Sequence, residues 1–343
     1  MTSSYQGGGA EAVVKNLWEY SRYKSDVHWA VLSANKKINA KLDERLHIFH
    51  SRRTLFSFFK ILKLLKEHKF NYVVSNLMYV NILMSFACLL SKTKFICVEH
   101  NVIYVPFLKR FTKSLLQRTL AKFTYRFAEK IVAVSSGVKN DLVKYLNLSI
   151  SSIEVIHNPI KVSNIKNNSN IKSGIGYIGS HNVQKNVKFL IKSYCHYHKK
   201  QDKPEKLFIA GNIQEKDLNI YKKIIHNLNP SSIKDIEFMG YVESKDFYIS
   251  RKVIVVPSYW EGFCNVVAES ILYGTPIIAT DCHSGPSDII KLFGVGTLIE
   301  INSSSQLVES IIKALENKQE IYQGDNLLSP HRVWSKYYQL FKI

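Results

Sequence analysis

Short runs of β-branched and aromatic residues alternate along this chain with longer stretches in which apolar residues return every three or four positions. The first pattern suits a strand buried on both faces and the second an amphipathic helix laid against it. Their alternation predicts parallel sheets covered by helices on both sides. We expect strands at 27–33, 46–50, 71–76, 93–99, 130–134 and 153–156, and helices at 10–23, 55–68, 79–91, 107–127 and 137–146. A polar stretch rich in Asn, Ser and Lys at 161–173 interrupts the series. A second series follows, with strands at 174–179, 206–211, 235–239, 252–256, 276–279 and 295–299 and helices near 186–199, 215–227, 265–273 and 304–316. The fold class is therefore α/β with two Rossmann-like domains, residues 1–157 and 158–330, hinged around Asn158-Pro159. A last helix at 331–343 is expected to pack back on the first domain. Ligands of such sheets bind beyond the carboxyl ends of the strands, and a cleft between two of them can hold two substrates.

The amino terminus departs from this pattern. A doubly wound domain opens with a hydrophobic strand that leads into a glycine-rich loop, but here Gly7-Gly8-Gly9 follows only six mostly polar residues. The first strand is expected to be missing or truncated. The same residues have neither a charged segment nor an apolar one of the kind that begins a signal peptide, so the chain is expected to stay in the cytoplasm. Five cysteines, Cys88, Cys97, Cys195, Cys264 and Cys282, show no metal-ligand spacing and read as free thiols in a reducing compartment, with no zinc. Residues 72–90 have the length and apolarity of a membrane span, but Asn76 and Asn81 interrupt them, and a strand followed by a helix describes them better.

Charge adds a second theme. Residues 52–130 hold 15 Lys or Arg against 3 Asp or Glu, which is more than half of the net charge of +20. Lys60, Lys63 and Lys66 recur every three residues among Leu and Phe in the helix at 55–68, and Lys109, Arg110, Lys113, Arg118, Lys122 and Arg126 repeat the theme at 107–127. Two readings stand beside each other: ordinary amphipathic helices with solvated lysine faces, or docking on an anionic membrane surface. No nucleic-acid-binding module accompanies the charge, so nucleic acid is not expected as a partner.

The densest chemistry lies in Val255-Val256-Pro257-Ser258-Tyr259-Trp260-Glu261-Gly262-Phe263-Cys264-Asn265-Val266-Val267-Ala268-Glu269. A buried strand ends at Pro257, a loop carries Glu261, and a helix begins near Asn265, which can serve as its N-cap. Free amides of Val266 and Val267 would then point outward from the helix end, where a phosphate is favoured. Glu269, one turn inside, is placed to accept hydrogen bonds from vicinal hydroxyls such as those of ribose, and Glu261 can do the same for a sugar. Two carboxylates at this spacing could equally be surface groups flanking a packed helix.

These residues do not stand alone. Followed by Tyr273-Gly274-Thr275-Pro276 and Ser284-Gly285-Pro286, the E-x7-E segment resembles that of the retaining GT-B glycosyltransferases of family 4. Gly7-Gly8-Gly9-Ala10-Glu11 is similar to the family's amino-terminal glycine loop, Val98-Glu99-His100-Asn101 to its His-bearing strand end, and Val134-Ser135-Ser136-Gly137-Val138 to the segment before its hinge. Ile156-His157-Asn158-Pro159 resembles the hinge itself, so the likeness covers nearly the whole chain.

The resemblance implies a GT-B architecture, an acceptor domain followed by a donor domain, facing each other across a cleft. It implies that Glu269 binds ribose, that Glu261 with the amides of Gly262 and Phe263 binds the donor sugar, and that Lys185 holds the diphosphate beside Ser180. His100 would face the sugar, with the alternative that it is a hydrogen-bonded histidine closing a buried strand. Gly8 and Gly9 would belong to the same site. The family commonly has Gly-Arg and then a lysine five residues on, where this chain has Gly179-Ser180-His181 and then Lys185. A serine offers one donor where a guanidinium offers five and a permanent charge, and His181 is a candidate substitute.

No Asp-x-Asp pair is present, and no cofactor or metal is expected beyond the nucleotide-sugar co-substrate. The implied reaction is hexosyl or N-acetylhexosaminyl transfer with retention, from a uridine nucleotide by family frequency. The implied acceptor is a lipid-linked glycan or lipopolysaccharide of the O-antigen or capsule type, at the inner face of the cytoplasmic membrane. The rival function is a weakened or non-catalytic member of the same fold.

Overall fold

The computed structural model describes residues 1–4, 9–24, 26–33, 44–49, 57–163, 172–316 and 320–341. Gly7, Gly8, the start of the helix expected at 55–68 and most of the polar stretch at 161–173 lie outside them. The chain forms two compact units, Met1–Lys161 with Leu327–Ile343, and Val162–Asn326.

The first unit runs β1 (Thr2–Ser4), α1 (Gly9–Ser21), β2 (Trp29–Ser33), β3 (Leu46–Ile48), α2 (Phe58–His68), β4 (Tyr72–Asn76), α3 (Met78–Ser91), β5 (Lys94–Glu99), β6 (Tyr104–Val105), β7 (Arg110–Phe111), α4 (Leu115–Thr124), β8 (Lys130–Ala133), α5 (Ser136–Leu146) and β9 (Ile153–Val155). The second runs β10 (Ile175–Ile178), α6 (Val187–Lys199), β11 (Leu207–Ala210), α7 (Glu215–Leu228), β12 (Ile236–Gly240), α8 (Ser244–Ser250), β13 (Val253–Val256), α9 (Asn265–Leu272), β14 (Ile277–Thr280), α10 (Pro286–Phe293), β15 (Thr297–Ile299) and α11 (Ser304–Glu316). A final helix, α12 (Pro330–Leu340), returns to the first unit and packs on α1. The boundary falls at Lys161 rather than at residue 157 because the Ile160 amide donates to Leu328 O (2.7 Å), which ties this segment to the returning chain.

Of the two alternatives for the first strand, missing or truncated, the structure shows a strand that is present and only three residues long. β1 pairs in parallel with β2, Thr2 opposite Val31. On its other side the Met1 nitrogen donates to Val74 O (2.5 Å) and the Met1 carbonyl accepts from the Asn76 amide (3.2 Å). A single residue thus stitches the β1-β2-β3 sheet to the parallel β4-β5-β8-β9 sheet. Thr-Ser-Ser carries no apolar signal, but Thr2 is buried and its hydroxyl accepts from Trp29 Nε1 at 2.9 Å, so a polar residue is satisfied inside the core.

Beneath the carboxyl ends of β4 and β5 lies a buried polar network. Asn81, on α3, accepts from Ser75 Oγ (2.7 Å) and donates to Val98 O, Glu99 Oε1 and Tyr125 Oη, each at 3.0 Å. Tyr125 also donates to Glu99. Burial pushes the Glu99 pKa up, against the opposing pull of Lys113 and of the hydrogen bonds from Tyr125 and Asn81. Asn81 therefore interrupts the apolar stretch at 72–90 because a network needs it, and among the described residues no helix is long and apolar enough to cross a membrane.

The single helix expected over 107–127 is corrected. Tyr104–Val105 and Arg110–Phe111 form an antiparallel hairpin around Pro106, with Lys109 in the left-handed region (φ 46°), and α4 starts only at Leu115. Its start is set by a capping box: Ser114 Oγ accepts from the Gln117 amide (3.2 Å) and the Gln117 side chain accepts from the Ser114 amide (3.1 Å).

In the second unit six parallel strands take the order β12-β11-β10-β13-β14-β15. Reversal of direction around β10 and β13 makes their carboxyl ends the switch point of the sheet, where such folds hold ligands. Tyr194, Leu190, Ile191, Leu207, Ile209, Val253 and Ile278 pack one face. Two short helices, α8 and α10, have no counterpart in the periodicity, because seven or eight residues span barely two turns.

Replacing Asn81 with Leu keeps the branched shape of the side chain but removes the amide that accepts from Ser75 and donates to Glu99, leaving Glu99 with Tyr125 alone of its two side-chain donors. Urea unfolding followed by tryptophan fluorescence should show the first transition destabilised by about 3 kcal/mol. An unchanged midpoint would mean that the network does not support this unit.

Candidate active site

The loops that leave the carboxyl ends of β10 and β13 are laced together. The Tyr259 amide donates to Gln184 O (2.8 Å), Gln184 Nε2 donates to Trp260 O (2.9 Å), and Thr280 Oγ1 at the end of β14 donates to Ser258 O (2.5 Å). A short 3-10 turn, Val183–Lys185, is capped by Asn182, whose Oδ1 accepts from the Lys185 amide (3.2 Å). This turn delivers Lys185 to Glu261. The ammonium Nζ lies 2.7 Å from Glu261 Oε1, with side chains 20% and 6% exposed. Ser258 Oγ donates to the same carboxylate oxygen (2.6 Å), and Gln184 Nε2 approaches the other at 3.4 Å. Burial acts against the lysine's charge, but the opposing contributions, headed by the charge and hydrogen bond of Glu261, together prevail and the net shift of the Lys185 pKa is upward. The site therefore keeps a fixed, desolvated cation at the edge of the sheet.

Gly262 and Phe263 follow on the same loop and are buried. Ser284 Oγ donates to Gly262 O at 3.0 Å. Gly285 sits at φ +97°, and a Cβ there would stand 2.6 Å from Phe263 O and 3.1 Å from Glu261 Cβ, so only glycine lets the Ser284-Gly285-Pro286 segment close over this loop.

At the start of α9 the structure corrects the expected cap. Cys264, at φ 77°, ψ 73°, is the N-cap residue, and Asn265 is the first residue of the helix. The Val267 amide donates to Cys264 O (3.1 Å) and is not free; Val266 lies before it in the first turn. Glu269 is held differently from Glu261: its Oε2 accepts from Tyr248 Oη of α8 at 2.7 Å. Burial raises the Glu269 pKa and the tyrosine bond opposes it. The fold thus joins Lys185 directly to Glu261 and sets Glu269 in a separate pair on the helix that follows.

Ser180 is exposed, and its carbonyl accepts from Tyr177 Oη (2.6 Å). His181 lies between Tyr177 and Tyr221, with Nδ1 3.2 Å from Tyr221 Oη and Nε2 buried without a hydrogen-bond partner among the described residues. Burial lowers its pKa. It is a neutral ring lodged between two tyrosines, not a permanent charge that replaces an arginine.

In the first unit Gly9 is the exposed first residue of α1, while Gly8 lies outside the described residues. His100 follows β5, is 8% exposed, and its Nε2 lies 2.8 Å from Asn76 Oδ1. Burial lowers its pKa to about 4. The loop after it is fixed by Asp141, whose Oδ2 accepts from the amides of Ile103 (2.6 Å) and Tyr104 (3.0 Å). Sequence reading missed Asn76, Gln184, Ser258 and Tyr248, which hold the predicted residues; Asn76, Gln184 and Tyr248 carry no local signal because their partners are distant along the chain, whereas Ser258 lies three residues before Glu261 and could have been found beside it. Among the described residues no group of three or more His, Cys, Asp or Glu side chains is arranged to hold a metal ion.

Two family patterns together cover residues 7–325 without a gap: Glycosyltransferase Family 4 matches residues 7–164, and Glycosyl transferases group 1 matches residues 160–325. The chain belongs to the family 4 glycosyltransferases, with the GT-B fold. Among its relatives, the N-acetylgalactosamine-N,N'-diacetylbacillosaminyl-diphospho-undecaprenol 4-alpha-N-acetylgalactosaminyltransferase of Campylobacter jejuni is 24% identical over 92% of this chain and 88% of its own length. A glycosyltransferase from Rickettsia africae shares the fold with a TM-score of 0.78 at 17% identity, over 99% of this chain and 96% of that one. Anabaena HepE, solved in complex with UDP, shares it with a TM-score of 0.75 at 15% identity over 99% and 96% of the two chains.

A histidine whose folded pKa is depressed to about 4 favours the fold in its neutral form. Its contribution is full above the unfolded value, about 6.5, and is lost as pH falls through 4. Between pH 7 and pH 4 the wild-type glycosyltransferase should lose about 3 kcal/mol more stability than the His100→Gln variant. Denaturant titrations across that range test this, and parallel curves would contradict the burial of a neutral imidazole.

Proposed function

We propose that this glycosyltransferase moves a hexosyl or N-acetylhexosaminyl group from a uridine nucleotide to a lipid-linked or lipopolysaccharide acceptor in bacterial surface polysaccharide synthesis, with retention and without a metal. The observation that carries the reading is the Lys185–Glu261 pair at the switch point of the second sheet, with Glu269 on the following helix. In this reading the Lys185 ammonium binds the diphosphate and stabilises the charge that grows on the leaving group, a preorganised cation needing no reorganisation. Glu261 with the Gly262 and Phe263 segment binds the donor sugar, Glu269 binds the ribose, and His100 acts on the sugar as a neutral group. The Val266 amide and the end of α9 add to the phosphate site. Glu261 is held by Lys185 and Ser258 and is not poised as a nucleophile, which favours same-face attack with the leaving phosphate as base for the acceptor hydroxyl. Support for the donor comes from the neighbour solved with UDP, and for the acceptor from the relative that acts on a diphospho-undecaprenol glycan.

The same acceptor class accounts for the cationic face. Leu115 and Leu116 at the start of α4 are 71% and 68% exposed, and Phe107, Phe123 and Phe127 are exposed beside Lys109, Arg110, Lys113, Lys122 and Arg126. On α2, Phe59 is exposed among Lys60, Lys63 and Lys66, although Lys63 pairs with Glu67 at 3.6 Å. Apolar side chains among lysines suit peripheral attachment to an anionic bilayer from the cytoplasmic side, where each nearby cation contributes about 1 kcal/mol.

Incubated with a panel of UDP-sugars and a polyprenyl-diphosphate glycan, the wild type should release UDP and extend the acceptor. Lys185→Ala should lower kcat on the order of 100-fold or more, and Glu269→Ala should weaken donor binding. Equal nucleotide release by all three proteins would leave the non-catalytic reading, which Ser180 and the neutral His181 favour. In flotation, anionic vesicles should recover the protein in a salt-sensitive way and Leu115→Ser/Leu116→Ser should reduce it; equal recovery with neutral vesicles would remove the membrane role.

A further inference from the structure

His100 has two ring nitrogens, and the structure determines which of them carries the proton. Asn76 closes β4 beside the end of β5, opposite Val98. Its side-chain Nδ2 lies 3.3 Å from Met1 O, the same oxygen that accepts the Asn76 backbone amide. A carbonyl oxygen can only accept, so the amide NH2 must face Met1 and the amide oxygen must face the imidazole. That oxygen, 2.8 Å from His100 Nε2, also can only accept. Nε2 therefore bears the hydrogen, and in a neutral ring Nδ1 is left as a bare lone pair. Among the described residues no hydrogen bond is made to Nδ1.

We propose that Asn76 is a positioning residue that locks His100 in the Nε2–H tautomer, so that Nδ1 is presented as a hydrogen-bond acceptor for a hydroxyl group of the sugar substrate. The chemistry rests on the reading of His100 given above, while the tautomer assignment stands on hydrogen-bond geometry within the first unit alone. Burial keeps the ring neutral with a pKa of about 4, so the lone pair persists through the neutral range. The neighbouring carboxylate does not disturb it, because Glu99 is turned to Tyr125 and Asn81. Asp141, the other acid close by in the fold, is occupied by the amides of Ile103 and Tyr104. A ring in the opposite tautomer would set an N–H against the sugar and an unprotonated nitrogen against the Asn76 oxygen, two acceptors facing each other.

The experiment is nitrogen NMR on the full chain labelled at histidine, with the His100 signals assigned by their loss in His100→Gln. The wild type should show the Nε2–H tautomer. Asn76→Leu, which offers no acceptor, should lose that exclusive tautomer and lower kcat on the order of tenfold or more, with UDP affinity within about twofold of wild type. Asn76→Asp keeps an acceptor at Nε2 but adds a negative charge. It should retain the tautomer and move both the His100 titration and the acid limb of the rate profile up by about one unit or more. A purely structural role would lower the melting temperature of both variants and leave that limb in place. The proposal is overturned if wild-type His100 carries its proton on Nδ1 or on both nitrogens equally, or if Asn76→Asp leaves the titration unmoved. If the wild type transfers no sugar, the function proposed above fails, while the spectra still decide the tautomer.

Discussion

A lysine ammonium drawn out of water at the edge of a parallel sheet must be given a partner, and the second unit is arranged around meeting that need at Lys185. Glu261 supplies the countercharge, Ser258 and Gln184 bond the carboxylate, and the lacing of the β10 and β13 loops holds the two ends of the pair in register. Gly285 is required because the segment after β14 closes on the same loop with no room for a Cβ. The carboxylate that satisfies the lysine also keeps it charged, which is the state an anionic ligand needs. A neutral lysine would be cheaper to bury and useless for that purpose.

The first unit solves a different problem, the burial of polar side chains next to a strand end. Asn81 connects α3 to β5 and to Tyr125, and Asp141 draws the loop after His100 toward α5, so His100 sits on a rigid platform rather than in a free loop. Through its backbone groups Met1 joins two partial sheets and orients Asn76. By contrast, the hairpin and α4 leave large apolar side chains in solvent among lysines and arginines, a surface that a core has not claimed.

Much of this was legible from the chain. The runs of β4, β5, β8, β10, β11, β13 and β14 were found within one or two residues, since strands covered on both faces are largely apolar and announce themselves. The failures share a cause. Thr2–Ser4 is a strand although it is polar, because neighbouring strands fill its hydrogen bonds and Trp29 answers its hydroxyl. Residues 107–127 carry a helical spacing of cations from end to end, but Pro106 and the capping box at Ser114 divide them into a hairpin and a helix. The Ser114 and Gln117 spacing of that box stands in the sequence, within the reach of the charge pattern.

By itself the sequence determined the two-unit α/β organisation, the family, and the set of residues from Glu261 to Glu269 with Lys185 and His100 as candidates. These depend on local periodicity and on motifs short enough to be read along the chain. Tertiary structure alone decided that Lys185 meets Glu261, 76 residues away, that Tyr248 rather than a second cation holds Glu269, and that Cys264 instead of Asn265 opens α9. It also decided that His181 is neutral and that Asn76 faces His100. The reason is that burial and partnership set a side chain's charge and direction, and both are properties of neighbours brought together by folding rather than by order in the chain.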